Sequence, residues 1–87
     1  MGVKIIDVRS KDEYDLGHIE GATWFDIERI AAGEMPALPK DEQIILYCRS
    51  GARSSVAMHL MQEYGFTNVG SGGGLGQMAA LGYKIVR

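Results

Sequence analysis

Cysteine is nearly absent from this chain: Cys48 is the only one among 87 residues. A single thiol excludes an internal disulfide, and it lacks the companion thiols of zinc and iron–sulfur sites. Proline is almost as scarce, and both prolines fall between Met35 and Lys40, a segment therefore read as loop. No apolar run approaches the roughly 18 residues that suggest a membrane-spanning helix. Neither sign of charge dominates. A formal net charge of -2 supplies no basic field, so neither nucleic acid nor membrane is an expected partner. No signal-peptide pattern is visible where Met1-Gly2 leads into Val3-Lys4-Ile5-Ile6, and Ile6 stands where a myristoylation motif wants Ser or Thr. The expected setting is cytoplasmic, or periplasmic if a signal peptide has been removed.

Hydrophobic residues at 46% and charged residues at 23% describe an ordinary globular chain. A chain this short makes one domain, 1–87, with a modest stability margin. Val3 to Val8 reads as a buried strand. Ser10 begins a short helix, with Glu13 in capping-box position and Gly17 as its stop. After a turn at His18 to Ala22 comes an extended piece, Thr23 to Phe25. Asp26 caps a second helix, with Ile27, Ile30 and Ala31 at helical spacing. Gln43 to Tyr47 is the strongest strand signal, a near-continuous apolar run suited to a sheet covered on both faces, and it ends at Cys48. The segment Ser54 to Tyr64 reads as a helix, with Ala57, Leu60, Met61 and Tyr64 on one face. Phe66 to Val69 is expected as a third short strand, Gly70 to Gly76 as a turn, Gln77 to Leu81 as the last helix, and Tyr83 to Arg87 as a tail. Strands alternating with short helices give an α/β class with a mainly parallel sheet.

The chemistry concentrates in Cys48-Arg49-Ser50-Gly51-Ala52-Arg53. A buried strand delivers a cysteine to its C-terminal end, where open α/β sheets place ligands. A helix then begins, and its N-terminal amides and dipole attract anions. Gly51 permits the curl that turns successive amides into an anion-holding nest, and Arg49 and Arg53 add positive charge. Each feature favours thiolate over thiol at Cys48. Singly, a cysteine at a strand end is an inert packing residue and the arginines are solvated charges. Together they point to a nucleophile, exposed at the mouth of a cup of amide hydrogens.

That loop resembles the six-residue active-site loop of rhodanese-family sulfurtransferases. Asp7-Val8-Arg9, Tyr14 and Gly17-His18-Ile19-Glu20-Gly21-Ala22 resemble the family's N-terminal signature, and Gly73-Gly74-Leu75 its C-terminal glycine pair. Within that family the chain resembles the short single-domain forms. The resemblance implies a small three-layer fold with about four mainly parallel strands flanked by short helices. It implies a thiosulfate sulfurtransferase in which Cys48 is catalytic and Arg49, Ser50, Gly51, Ala52 and Arg53 bind the substrate, with Asp7 and Arg9 in structural support. It implies no cofactor and no metal. The expected partners are a small anionic sulfur donor and an acceptor that is cyanide, a thiol or a protein.

Two rivals stand beside this reading. Phosphatases of the same fold carry a seven-residue loop with Arg at the sixth position after Cys; here that position is Ser54, and Arg53 comes one earlier. A carrier that relays persulfide sulfur without turnover would need the same activated Cys48. His18 reads as a hydrogen-bonded turn residue rather than a base, His59 as solvated, and Trp24 and Phe25 as core rather than pocket wall. The Gly70 to Gly76 cluster lacks a nucleotide-binding spacing and reads as a backbone crossing beside the Cys48 loop.

Overall fold

The computed structural model describes residues 2–87. Four parallel strands form the main sheet: β1 (Lys4–Asp7), β3 (Thr23–Trp24), β4 (Ile44–Cys48) and β5 (Val69–Gly74), in the order β3-β1-β4-β5. A short antiparallel pair, β2 (His18–Ile19) with β6 (Ile85–Val86), lies apart from it. Helices α1 (Lys11–Leu16), α2 (Ile27–Ala31), α3 (Ala52–Glu63) and α4 (Leu75–Ala80) complete the order. The α/β class and the parallel four-stranded sheet agree with the sequence. No helix among the described residues is long and apolar enough to cross a membrane.

β4 is central, and side-chain alternation divides its residues between two cores. Ile44, Leu46 and Cys48 pack with Ala57 and Met61 of α3 and with Ile30 of α2. Tyr47 turns the other way and packs with Ile19 and Met78, against half-buried Ile45 and Leu75. The apolar run predicted as a doubly covered strand is covered in this way.

Both predicted helix caps form. Ser10 Oγ accepts from Glu13 N–H at 3.3 Å while the Glu13 carboxylate accepts from Ser10 N–H at 3.0 Å. Asp26 accepts from Glu28 N–H at 2.9 Å.

The C-terminal third departs from the expectation. The strand falls on Val69–Gly74 rather than Phe66 to Val69, and the helix starts at Leu75 rather than Gln77. Glycines form a strand here because β4 supplies the ladder, pairing Ile44 with Val69 and Cys48 with Gly74; tertiary pairing overrides weak strand propensity. The expected tail contains β6, whose Val86 and Ile85 pair with His18 and Ile19. Tyr64 lies off the buried face of α3 and is exposed, because the helix has already ended at Glu63.

Candidate active site

β4 and α3 meet at Cys48. Gly51 takes the N-cap position of α3 with φ 106°, a left-handed conformation that favours glycine. It offers no side chain to cap the helix, so the first-turn amides need another acceptor. The sulfur of Cys48 fills that role. Sγ accepts from Gly51 N–H at 3.0 Å and from Ser54 N–H at 3.4 Å. Ser54 Oγ lies 3.6 Å from Sγ. Burial pushes the thiol up, but hydrogen bonds from the Ser54 amide and hydroxyl and from the Gly51 and Ser50 amides outweigh it. The Cys48 pKa therefore lies below that of an ordinary cysteine.

The cup of amides is present, but the expected exposure is not. Cys48 is 1% exposed. The reason is a backbone crossing: β5 and the start of α4 run directly against the Cys48 loop. A β-carbon on Gly74 would overlap the Arg49 carbonyl, and one on Gly51 would meet the Gly73 Cα at 3.4 Å. The glycine cluster therefore acts as the close approach that the sequence suggested. The thiol is buried among amides and a hydroxyl on its polar side, and against Ala57 and Met61 on the other.

The two arginines part company. Arg53, expected to face an anionic donor, instead makes a two-pronged pair with Glu13, Nη1 to Oε1 at 2.7 Å and Nη2 to Oε2 at 2.9 Å. The hydrogen bonds from Arg53, helped by those from Ser10, hold the Glu13 carboxyl down at about 2 despite partial burial. Arg53 ties α1 to the first turn of α3 while its charge still acts on Cys48. Arg49 is exposed and, among the described residues, its guanidinium makes no hydrogen bond. It lines an open cleft of about 410 Å³ with Arg9, Glu13, Leu16, Gly17, Leu75 and Ile85. Ser50 and Ala52 are exposed on the loop's outer surface.

Asp7 and Arg9 are buried and bound to each other, with Arg9 Nη2 2.7 Å from Asp7 Oδ2. Arg9 also donates to the Gly17 carbonyl at 2.6 Å. Asp7 accepts from Tyr47 Oη at 2.7 Å, and Tyr47 Oη accepts from Ile19 N–H at 2.9 Å. Asp7 and Arg9 are thereby connected to β4 through Tyr47, the residue before Cys48. Sequence reasoning passed over Tyr47, although a tyrosine inside an apolar run requires a hydroxyl partner. It also gave Ser54 no chemical role, noting it as a helix start and as the position where a phosphatase has arginine.

His18 is structural: its Nδ1–H donates to the Tyr14 carbonyl at 2.9 Å and its ring stacks on Tyr14 at 3.7 Å. His59 is exposed. Phe25 is core, and Trp24 donates from Nε1 to the Arg9 carbonyl at 2.8 Å. Among the described residues no group of three His, Cys, Asp or Glu is placed to hold a metal. A larger cavity of about 540 Å³ lies beside β1 and the Pro36–Leu38 segment and includes no residue of the Cys48 loop.

The rhodanese-like domain family model matches residues 1–74. The chain belongs to the rhodanese-like domain family. It is 32% identical over 75 residues to the thiosulfate sulfurtransferase PspE of Escherichia coli, covering 85% of this chain and 72% of that protein. It is 38% identical over 65 residues to a probable adenylyltransferase/sulfurtransferase, MoeZ, of Mycobacterium tuberculosis. That match covers 74% of this chain but only 17% of the length of MoeZ. Among solved structures, a rhodanese-like domain from Anabaena superposes with a TM-score of 0.87 at 31% identity, covering 99% of this chain and all of that one. A rhodanese with anions from E. coli superposes with a TM-score of 0.82 at 28% identity, covering 99% of each chain. Sulfurtransferases are thus among the relatives of this rhodanese-like domain.

Proposed function

We propose that the domain is a sulfurtransferase that moves a sulfane sulfur from thiosulfate, or a donor of the same kind, to a nucleophilic acceptor through a persulfide on Cys48. One observation carries the reading: the only thiol of the chain is the acceptor for the amides of Gly51 and Ser54 at the start of α3. Such donors favour the thiolate, the nucleophilic form. The Cys48 thiolate attacks the outer sulfur of thiosulfate, a sulfur–sulfur bond forms, and sulfite leaves with the electron pair of the broken bond. A thiol or cyanide then attacks the outer sulfur of the persulfide and returns Cys48 to thiolate. The loop amides hold the sulfur anion at both ends of the cycle, as an oxyanion hole holds oxygen.

Because Cys48 is 1% exposed, transfer requires the Arg49–Arg53 loop and the β5–α4 crossing to separate far enough to admit the donor sulfur. Arg49 is the cation free to draw in the donor. Arg53 positions the loop by anchoring it to Glu13, a narrower role than direct donor binding. A carrier that passes sulfur to a partner would use the same cup, and steady-state turnover separates the two.

The test is thiocyanate formation from thiosulfate and cyanide, combined with intact mass. Wild type should turn over and gain one sulfur atom from thiosulfate, while Cys48→Ser should lose both properties. A stable sulfur adduct without turnover would favour the carrier. A phosphate adduct, or no adduct at all, would remove the sulfurtransferase reading.

A further inference from the structure

Ser54 Oγ has four polar neighbours besides its own backbone: Cys48 Sγ at 3.6 Å, Ser71 Oγ at 2.7 Å, and the carbonyls of Gly51 at 3.1 Å and Gly73 at 3.4 Å. A hydroxyl has one proton to give, so these neighbours compete. Ser71 has a distinct place among them. It lies on β5, is exposed, and its Oγ already accepts from Gly73 N–H at 3.3 Å.

We infer that Ser71 is a positioning residue for the sulfur anion, acting through Ser54 to complete the donor set around Cys48. With Sγ ionised, the donors line up head to tail: Gly73 N–H to Ser71 Oγ, Ser71 O–H to Ser54 Oγ, and Ser54 O–H to Sγ. Each hydroxyl that accepts a hydrogen bond becomes a better donor, so the chain strengthens towards its anionic end. With Sγ protonated the order reverses. The thiol then donates to Ser54 Oγ, Ser54 donates to Ser71, and Ser71 donates to water. Ionisation is a relay of one proton: the thiol passes its proton to Ser54 Oγ as Ser54 passes its own to Ser71 and Ser71 passes its own to water, and the relay by itself leaves both hydroxyls pointing towards Sγ. Without Ser71 the Ser54 proton is drawn to the Gly51 carbonyl, the nearest remaining acceptor.

This inference rests on the proposed thiolate role of Cys48 and adds a contribution from β5 that the loop sequence does not contain. The charges bearing on Sγ come from elsewhere. Arg53 on α3, paired with Glu13 of α1, acts on Cys48; Arg49 follows it in the loop; and Asp7, Arg9 and Tyr47 form their own network across β1 and β4. Neither β5 nor α4 contains a titratable side chain. A change at Ser71 therefore alters hydrogen bonding alone.

The test is the pH dependence of Cys48 alkylation by iodoacetamide, read as the midpoint of the rate–pH curve, with thiosulfate–cyanide turnover measured in parallel. Ser71→Ala should move the midpoint up by about half to one pH unit, the effect of one ordinary hydrogen bond on the anion. Ser71→Thr should keep the wild-type midpoint. Ser54→Ala should move it further, by about one to two pH units, and the double variant Ser54→Ala/Ser71→Ala should match Ser54→Ala alone. A merely structural role would change thermal stability or all rates together without displacing the midpoint. An unmoved midpoint in Ser71→Ala overturns the inference. So does a double variant that adds the full Ser71 effect, since Ser71 would then not act through Ser54. Wild-type turnover with an unmoved Ser71→Ala midpoint leaves the proposed function standing, whereas absent turnover tells against that function separately.

Discussion

At the scale of single residues, the most heavily bonded polar group outside the Cys48 cup is Asp7. Its carboxylate receives Arg9 and Tyr47, and Tyr47 in turn receives the buried Ile19 amide. Burial pushes the Tyr47 hydroxyl up, so it remains protonated and donates to Asp7. Tyr47→Phe removes the donor to Asp7 and leaves the Ile19 N–H without an acceptor. It should cost about 1–3 kcal/mol. Asp7→Ala strands a buried guanidinium and should cost about 3–5 kcal/mol. Urea unfolding measures both. Because Tyr47 does not touch Sγ, the Tyr47→Phe protein should keep the wild-type alkylation midpoint, and a displaced midpoint would show that the network tunes the thiol as well as the fold.

At the scale of elements, the decisive contact is between two pieces of backbone: the β5–α4 junction and the loop between β4 and α3. Gly74 sits at φ -100°, which any residue can adopt, so its requirement for glycine is spatial rather than conformational. Gly74→Ala should force the Arg49 carbonyl away and disturb the amides that hold Sγ. The expected result is loss of most sulfur transfer, with a cost of about 1–3 kcal/mol from overpacking. A Gly74→Ala protein with wild-type turnover would show that the loop tolerates displacement. α1 depends on the same neighbourhood: it has no buried side chain and is held by its Ser10–Glu13 capping box and by Arg53.

At the scale of the whole molecule, Glu13 links the order of the Cys48–Arg53 loop to global stability. Its folded carboxyl titrates at about 2 against an ordinary 4.5. A depressed carboxyl stabilises the fold fully above pH 4.5, and that contribution is lost as pH falls towards 2. Wild type should thus exceed Glu13→Gln in stability at neutral pH, with the gap narrowing between pH 4.5 and 2. Denaturation midpoints across that range give the measurement, and a gap independent of pH would mean that the Arg53 pair contributes no charge term. Two small cores, one on each face of the sheet, supply the remaining cohesion in a chain of 87 residues.

Much of this protein was legible in the order of its residues. Local chemistry specifies the caps at Ser10 and Asp26, the doubly covered strand before Cys48 and the turn at Gly51. These depend on nearest neighbours along the chain, which any sequence displays. The glycine-rich β5, the β6 pairing, the burial of Cys48, the capture of Arg53 by Glu13 and the Ser54–Ser71 contact were settled only by folding. Each joins segments distant in sequence: Arg53 and Glu13 lie 40 residues apart, and Ser54 and Ser71 lie 17 apart. Which side chain meets which across such distances is fixed by strand register and close backbone approach, and neither is written in local propensity.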